Sequence, residues 1–381
     1  MAKEAKAKVK AIDESSKTKT RRKFLGESGA LAAASLTIPA AASAQTAAKK
    51  FAWDLVTAWP KDLPGYHSSL VRMTEQVSQM SEGRLTIKIR PGGELCKPFE
   101  CFDFVSKGSA QMGNGVPYYW RSKSEAFQFF ATIPFGFTSS ETEAWIHHGG
   151  GRALATELYD SFGLVYFPAG GSGCQMGGWF NKEINSINDF KGLKIRYPAF
   201  AGDVLKKHGA IVTMVPAGEI YSALKSGQID AAEWVGPWND YALKLYESAK
   251  FYYWPSWHEP GTVNDIFVNK TAWNSLPKDL KAILTNAIQA MELDFNAELS
   301  ARNNGYLSLL LNSHKVQLKR FSDETLTELA KTSKAIVEEA ANKDPMTKKV
   351  FQSYTQFRYN VLSWGSVAEG GYMAARANIK I

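Results

Sequence analysis

The sequence predicts an α/β protein of two domains, on three observations. Strand-like apolar runs alternate with helical stretches through most of the chain, and a helix in each crossover argues for parallel sheets with covered faces. The length of 381 residues exceeds the roughly 250–300 that one hydrophobic core usually serves. A helical pattern from Leu276 to about Asn312 is long enough to lie across both halves.

In chain order, "FAWDLVTA" at 51–58 alternates as a strand, because side chains in a strand repeat with period two. "DLPGYHSSLVRMTEQVSQMSEG" is a loop and a helix stopped at Gly83, and "RLTIKIRP" is the next strand. "PFECFDFVSKGSAQMG" supplies a helix closed near Gly108 and a strand around Met112. "LVYFPAGG", "QMGGWF" and "GLKIRYP" are strands, followed by a helix in "AGDVLKKHGA", a strand in "IVTMVP" and a helix in "AGEIYSALKSGQ". A short strand spans Ile229–Ala232, and "VNDIFVNK" is the last long one. In the long helix, Leu280, Leu284, Ile288, Met291, Phe295 and Leu299 step by three or four, so one face is apolar. From Asp323 the chain is helical, broken at Asp344-Pro345, and carries no evident chemistry, which leaves packing or contact with a second copy.

The first 44 residues stand apart. Arg21-Arg22 precede Lys23-Phe24-Leu25, a weakly apolar Ala-rich stretch follows, and Ala42-Ser43-Ala44 forms an A-x-A cleavage site. That pattern predicts a twin-arginine (Tat) export signal, and so a soluble mature chain in the bacterial periplasm. The segment holds nine basic and four acidic residues, a net of +5, which leaves +3 of the formal +8 for the remainder. No basic cluster interleaved with aromatics survives its removal, so nucleic acid is excluded as a partner. The three cysteines contain no C-x-x-C, which argues against an iron–sulfur cluster or c-type haem. Cys96 and Cys101 in "CKPFEC" admit either a bridge, in an oxidising compartment, or two free thiols.

The catalytic reading is thin. His147 and His148 are adjacent and point to different sides, and no H-E-x-x-H, G-x-S-x-G or phosphate-loop pattern sits in a strand–turn–helix context. "AGGSGCQMGG" lies between strands with no helix to present its N-terminus. Cys174 lacks an identifiable basic partner. What strand ends do carry is oxygen ligands and one arginine: Gln175, Arg196, Glu233-Trp234 and Glu259. In open α/β sheets ligands bind beyond the carboxyl ends of strands. An arginine there offers a fork that fits a carboxylate, and two glutamates with an amide oxygen and a main-chain carbonyl suit a hard cation such as Na⁺ or Ca²⁺.

The run "GCQMGGWFNKEINSINDFKGLKIRYPAFAGDVLKKHGA", then "SALKSGQIDAAEWVGPWND", resembles the DctP-like substrate-binding proteins of TRAP transporters. The likeness is greatest to the branch that binds 2-oxo or 2-hydroxy monocarboxylates with a metal ion. "GGELC", "AWIHHGGG", "FYYWPSWHEPG" and "FVNKTAW" extend it over nearly the whole mature chain. The resemblance implies a periplasmic-binding-protein-like fold of two α/β domains around a ligand cleft, with hinge strands and a long bracing helix. The corresponding divisions are a signal at 1–44, a first domain at 45–172 with a return segment at about 262–275, and a second at 173–261. The brace follows at 276–313, then a C-terminal strand and helices at 314–381. The resemblance assigns the substrate carboxylate to Arg196 and the cation to Gln175, Glu233, the Trp234 carbonyl and Glu259. Tyr119, with Tyr118 beside it, would reach the ligand, and Phe200 would form an apolar wall. It also implies delivery to a membrane permease, no covalent chemistry, and a homodimer through the C-terminal helices. Two glutamates, Arg196 and a substrate carboxylate sum to a charge of −2, which favours Ca²⁺ over Na⁺. The small residues Gly171–Cys174 before Gln175 leave room for acids larger than pyruvate. Two rivals are a metal-free binder of dicarboxylates or sugar acids, using Arg196 alone, and an exported metal-dependent hydrolase or lyase with Glu233 or Glu259 as base.

Overall fold

The computed structural model describes residues 49–379, so the expected signal at 1–44 lies outside the described residues. Two mixed sheets organise the chain. The first has the order β2 (Leu85–Arg90), β1 (Phe51–Thr57), β3 (Met112–Gly115), β10 (Val263–Asn269), β4 (Leu164–Gly171). The second has the order β11 (Gln317–Arg320), β9 (Phe251–Trp254), β5 (Gly178–Phe180), β8 (Ala231–Ala232), β6 (Lys194–Arg196), β7 (Ile211–Thr213).

The sheets correct one expectation. β1 pairs in parallel with β2 and β3, and β6 with β7 and β8, as helical crossovers dictate. β10, however, runs antiparallel to both β3 and β4, and β5 antiparallel to both β8 and β9. Both strands are entered from the other sheet, so no crossover helix within one sheet fixes their direction. Their apolar runs are buried either way, and periodicity alone does not distinguish the two directions.

The expected brace is a 35-residue helix, Lys278–Asn312, whose buried side chains include Leu280, Leu284, Ile288, Met291, Phe295 and Leu299. It packs on β4, on the helix Tyr66–Met80 beside the first sheet, and on the helix Pro237–Ala242 that follows β8. Phe295 meets Tyr66 edge to face at 5.0 Å, and the Trp238 amide donates to Asn303 Oδ1 at 3.1 Å. The brace therefore touches elements from both sheets. Beyond β11 come helices Asp323–Ala341, Pro345–Val367 and Glu369–Asn378. Pro345 occupies the first helical turn behind an Asp344 cap, where a missing N–H is harmless. Among the described residues, no helix is long and apolar enough to cross a membrane.

The chain passes directly between sheets at 172–177, from β4 to β5, and at 255–262, from β9 to β10. The two passages are laced together. Ser172 N donates to Thr262 O at 2.8 Å and Gln175 N to Glu259 O at 3.3 Å. Gly261 is required there, because a Cβ would lie 2.0 Å from the Ser139 nitrogen.

Candidate functional site

Arg196 ends β6, and its register partner on β8 is Ala232, so Glu233 is the first residue beyond the strand at its side. The Glu233 amide donates to Arg196 O at 3.1 Å, which fixes the two backbones together. Gly178 on β5 lets the Gln175 loop come close. It has φ of 109°, and a Cβ would meet Glu233 Cβ at 3.3 Å.

Arg196 is 1 % exposed. Its Nη1 donates to the Glu233 carbonyl at 2.6 Å and to Glu233 Oε2 at 2.7 Å, and its guanidinium lies 5.3 Å from the Trp234 ring centroid. Glu259 Oε2 accepts from Gln175 Nε2 at 2.8 Å and from the Thr262 hydroxyl. Gln175 Nε2 also donates to Ser172 Oγ at 3.0 Å. His258 stands between the two glutamates, with Nε2 3.4 Å from Glu233 Oε1 and Nδ1 3.3 Å from both Ser256 Oγ and Tyr197 Oη.

Four buried atoms in this cluster lack a hydrogen-bond partner: Gln175 Oε1, Glu233 Oε1, Glu259 Oε1 and His258 Nε2. A buried polar atom without a partner is costly, and several meeting at one place point to a bound group. Ligand atoms of Glu233, His258 and Glu259 all lie within 4.8 Å of one another. Burial raises the Glu233 carboxyl to about 8, outweighing the adjacent Arg196, and burial with the Glu233 charge raises Glu259 to about 7. Burial lowers His258 to about 4, so its imidazole is neutral and able to ligate. Two carboxylates, an amide oxygen and a neutral imidazole in a dry setting fit a cation, since its charge would hold both glutamates ionised.

The first sheet faces this cluster with aromatic rings. Tyr118 and Tyr119 lie in the turn Pro117–Trp120 after β3, and Trp59 follows β1. Trp59 is 6.0 Å from both Tyr119 and Trp234, so its ring bridges the two sides. Arg196 lies close enough to Tyr119 to oppose the rise in hydroxyl pKa that burial imposes. Gln175, Arg196, Glu233, Trp234 and Glu259 thus share one interior site with both tyrosines at its edge.

Phe200 stands elsewhere. Ala199 has φ of 52° and turns the chain after Arg196, and the Phe200 ring packs edge to face on Phe129 at 5.6 Å. Sequence reasoning missed His258, because it sought histidines in pairs with metal-motif spacing. The available signal was its place beside Glu259 in "WHEPG". It also missed Ser172 and Thr262, which orient Gln175 and Glu259.

Residues 55–344 match the family described as "Bacterial extracellular solute-binding protein, family 7". A relative from Nostoc sp., a monocarboxylate 2-oxoacid-binding periplasmic protein, is 39% identical over 330 residues, covering 87% of this chain and 90% of the relative. A TRAP periplasmic solute-binding protein from Colwellia psychrerythraea, solved with calcium and pyruvate, superposes with a TM-score of 0.83 at 40% identity, over 86% of this chain and 100% of that one. One from Pseudoalteromonas atlantica, solved with sodium and pyruvate, gives 0.83 at 38% identity, over 87% and 100%. The fold, the interior carboxylate cluster and this similarity along most of the chain agree, and the protein belongs to family 7 of the bacterial extracellular solute-binding proteins.

Proposed function

We propose that this chain is the periplasmic component of a TRAP transporter, binding a 2-oxo or 2-hydroxy monocarboxylate together with Ca²⁺ or Na⁺ and delivering it to the membrane permease. The observation that carries the reading is the set of four unpartnered buried atoms on Gln175, Glu233, His258 and Glu259. These residues, with the Trp234 carbonyl, would hold the ion, and the ion would draw the acid's carboxylate and its adjacent oxygen to one point. Arg196 and Tyr119 would orient the carboxylate, with Tyr118 behind them. The two relatives solved with pyruvate, one with calcium and one with sodium, support the ligand class. The charge sum favours Ca²⁺.

In this reading the two sheets mark two domains, which close on the ligand by a hinge motion shifted by binding. No covalent step is involved, and export through the Tat pathway places the mature chain in the periplasm. Exposed Trp364, Val367, Tyr372 and Met373 on the last two helices support pairing with a second copy there, which analytical ultracentrifugation checks.

Calorimetric titration of the mature chain with pyruvate, lactate and larger 2-oxo acids tests the function, after chelation and then with Ca²⁺ or Na⁺ restored. Binding lost on chelation and recovered with Ca²⁺ is the expected result. Chelator-resistant binding that requires Na⁺ keeps the site and changes the ion. Tight metal-free binding of a C4 dicarboxylate, or turnover of any of these acids, rejects the reading.

A further inference from the structure

Outside the site, one pair of reactive side chains stands in a position that bears on it. Cys96 and Cys101 lie at the two ends of "CKPFEC", with their sulfurs 3.6 Å apart. Cys101 opens the helix Cys101–Ser106 and is 0 % exposed, whereas Cys96, in the loop after β2, is partly exposed. Between them Phe99 sets its ring 4.7 Å from Tyr119. Phe99 and Tyr119 line a cleft opposite Ala199, Val212 and Met214, residues from the side of the second sheet. The dithiol loop is lightly held. Of its backbone bonds, Gly93 N to Cys96 O at 3.0 Å, Glu94 N to Pro91 O at 3.0 Å and Glu100 N to Lys97 O at 2.9 Å stay within the loop, and Gly92 N to Trp59 O at 2.8 Å ties it to the chain after β1.

We propose that Cys96 and Cys101 are a redox pair, and that their oxidation to a disulfide closes a six-residue ring that fixes the Phe99 lip of the cleft. The bacterial periplasm is an oxidising compartment in which such bonds form. The oxidant is the active-site disulfide of a dithiol–disulfide oxidoreductase. Cys96, the accessible sulfur, attacks one sulfur of that disulfide as thiolate and forms a mixed disulfide. Contact with Cys101 lowers the Cys96 thiol pKa, while the same contact and burial raise that of Cys101, which gives the first attack to Cys96. Cys101 then loses its proton, attacks Cys96 Sγ and expels the reduced oxidoreductase. This chain gives up two electrons and two protons, and the oxidoreductase ends with two thiols. Cys174, exposed and in the passage beside Gln175, takes no part.

Ring closure removes freedom from the segment that carries Phe99, so the lip opens less often. Its effect on ligand release rests on the proposed binding function, but the bond and the fixed lip do not. The mature chain is incubated with dithiothreitol or with an oxidised dithiol oxidoreductase. It is then acid-quenched, unfolded, alkylated and digested without reduction. The expected product is a Cys96–Cys101 linkage with Cys174 alkylated, together with several-fold slower amide exchange over residues 94–100 in the ligand-free oxidised protein. Release of pyruvate in Ca²⁺, followed by tryptophan fluorescence, is several-fold slower after oxidation, and Cys96→Ser abolishes every redox effect. Full alkylation of both cysteines after oxidation, or a bond to Cys174, overturns the proposal. A bond that leaves amide exchange over 94–100 unchanged overturns the role of the lip. A bond with slowed exchange in a protein that binds no 2-oxo acid sustains this inference and rejects the proposed function.

Discussion

Two kinds of buried carboxylate occur in this molecule, and what distinguishes them is the bonding of their oxygens. Asp265 in the first sheet accepts from the Trp120 indole at 2.9 Å, the Gly115 amide at 3.1 Å and the Tyr159 hydroxyl. Asp240 beside the second sheet repeats the arrangement, accepting from the Trp179 indole at 2.9 Å, the Tyr252 hydroxyl at 2.7 Å and the Val235 amide at 3.1 Å. Both oxygens of each aspartate are engaged. Glu233 and Glu259 engage one oxygen each and leave the other without a partner. Burial raises all four groups, the aspartates to about 6 and the glutamates to about 8 and 7. A raised pKa therefore marks burial in this protein; unpartnered oxygens also occur elsewhere, at Glu143, Gln128 and Asn264, and what singles out the site is that those of Glu233 and Glu259 meet with Gln175 and His258 in one cluster.

That contrast breaks most visibly at Asp240. Asp240→Ala leaves an indole, a hydroxyl and an amide without an acceptor, and is expected to destabilise the fold by about 3–5 kcal/mol in denaturant unfolding. The fraction that remains folded should keep its pyruvate affinity within about tenfold. Glu259→Gln is the opposite case. The new amide oxygen still accepts from Gln175 and Thr262, so stability should change by less than about 1 kcal/mol, while cation-dependent pyruvate binding weakens by about a hundredfold or more in calorimetry. Equal binding by wild type and Glu259→Gln would erase the distinction.

Asp265 sharpens the contrast through pH. Its folded pKa is raised from 3.8 to about 6, so the native state binds the extra proton. The stability this provides is complete below about 4 and lost as pH rises through about 6, on the order of 3 kcal/mol in all. Unfolding of wild type and Asp265→Asn across that range should show a shallower slope in the variant, where Asp240, Glu259 and Glu233 still titrate. Cys174→Ser is the smallest change. The side chain is exposed, and the substitution should alter neither stability, beyond about 0.5 kcal/mol, nor affinity.

Local pattern made much of this fold legible before any coordinates. The six apolar residues from Leu280 to Leu299 predicted the buried face of the brace because a helix repeats its faces within a few residues. The directions of β5 and β10 were not legible, since a continuous apolar run is compatible with either. Arg196 and Glu233 converge because β6 and β8 are neighbours in register, a relation between residues 37 apart in sequence that no local spacing encodes. Strand-end chemistry grouped Gln175 and Glu259 with Glu233 as oxygen ligands, and the family likeness then assigned them to one ion. His258 escaped because its partners are distant in sequence or immediately adjacent to it, neither of which is a ligand spacing. Phe200, expected as an apolar wall, packs on Phe129 just after Ala199, a residue with positive φ.

The two laced passages between the sheets have a mechanical consequence. Gln175, His258 and Glu259 ride on those passages, Glu233 follows β8 of the second sheet, and the first sheet's side brings Trp59 and the tyrosines. A fulcrum moves least when a lever swings. Under the proposed function, donors carried at or behind it would keep their mutual distances while the far arm travels, so coordination of the ion would not depend on the cleft being shut.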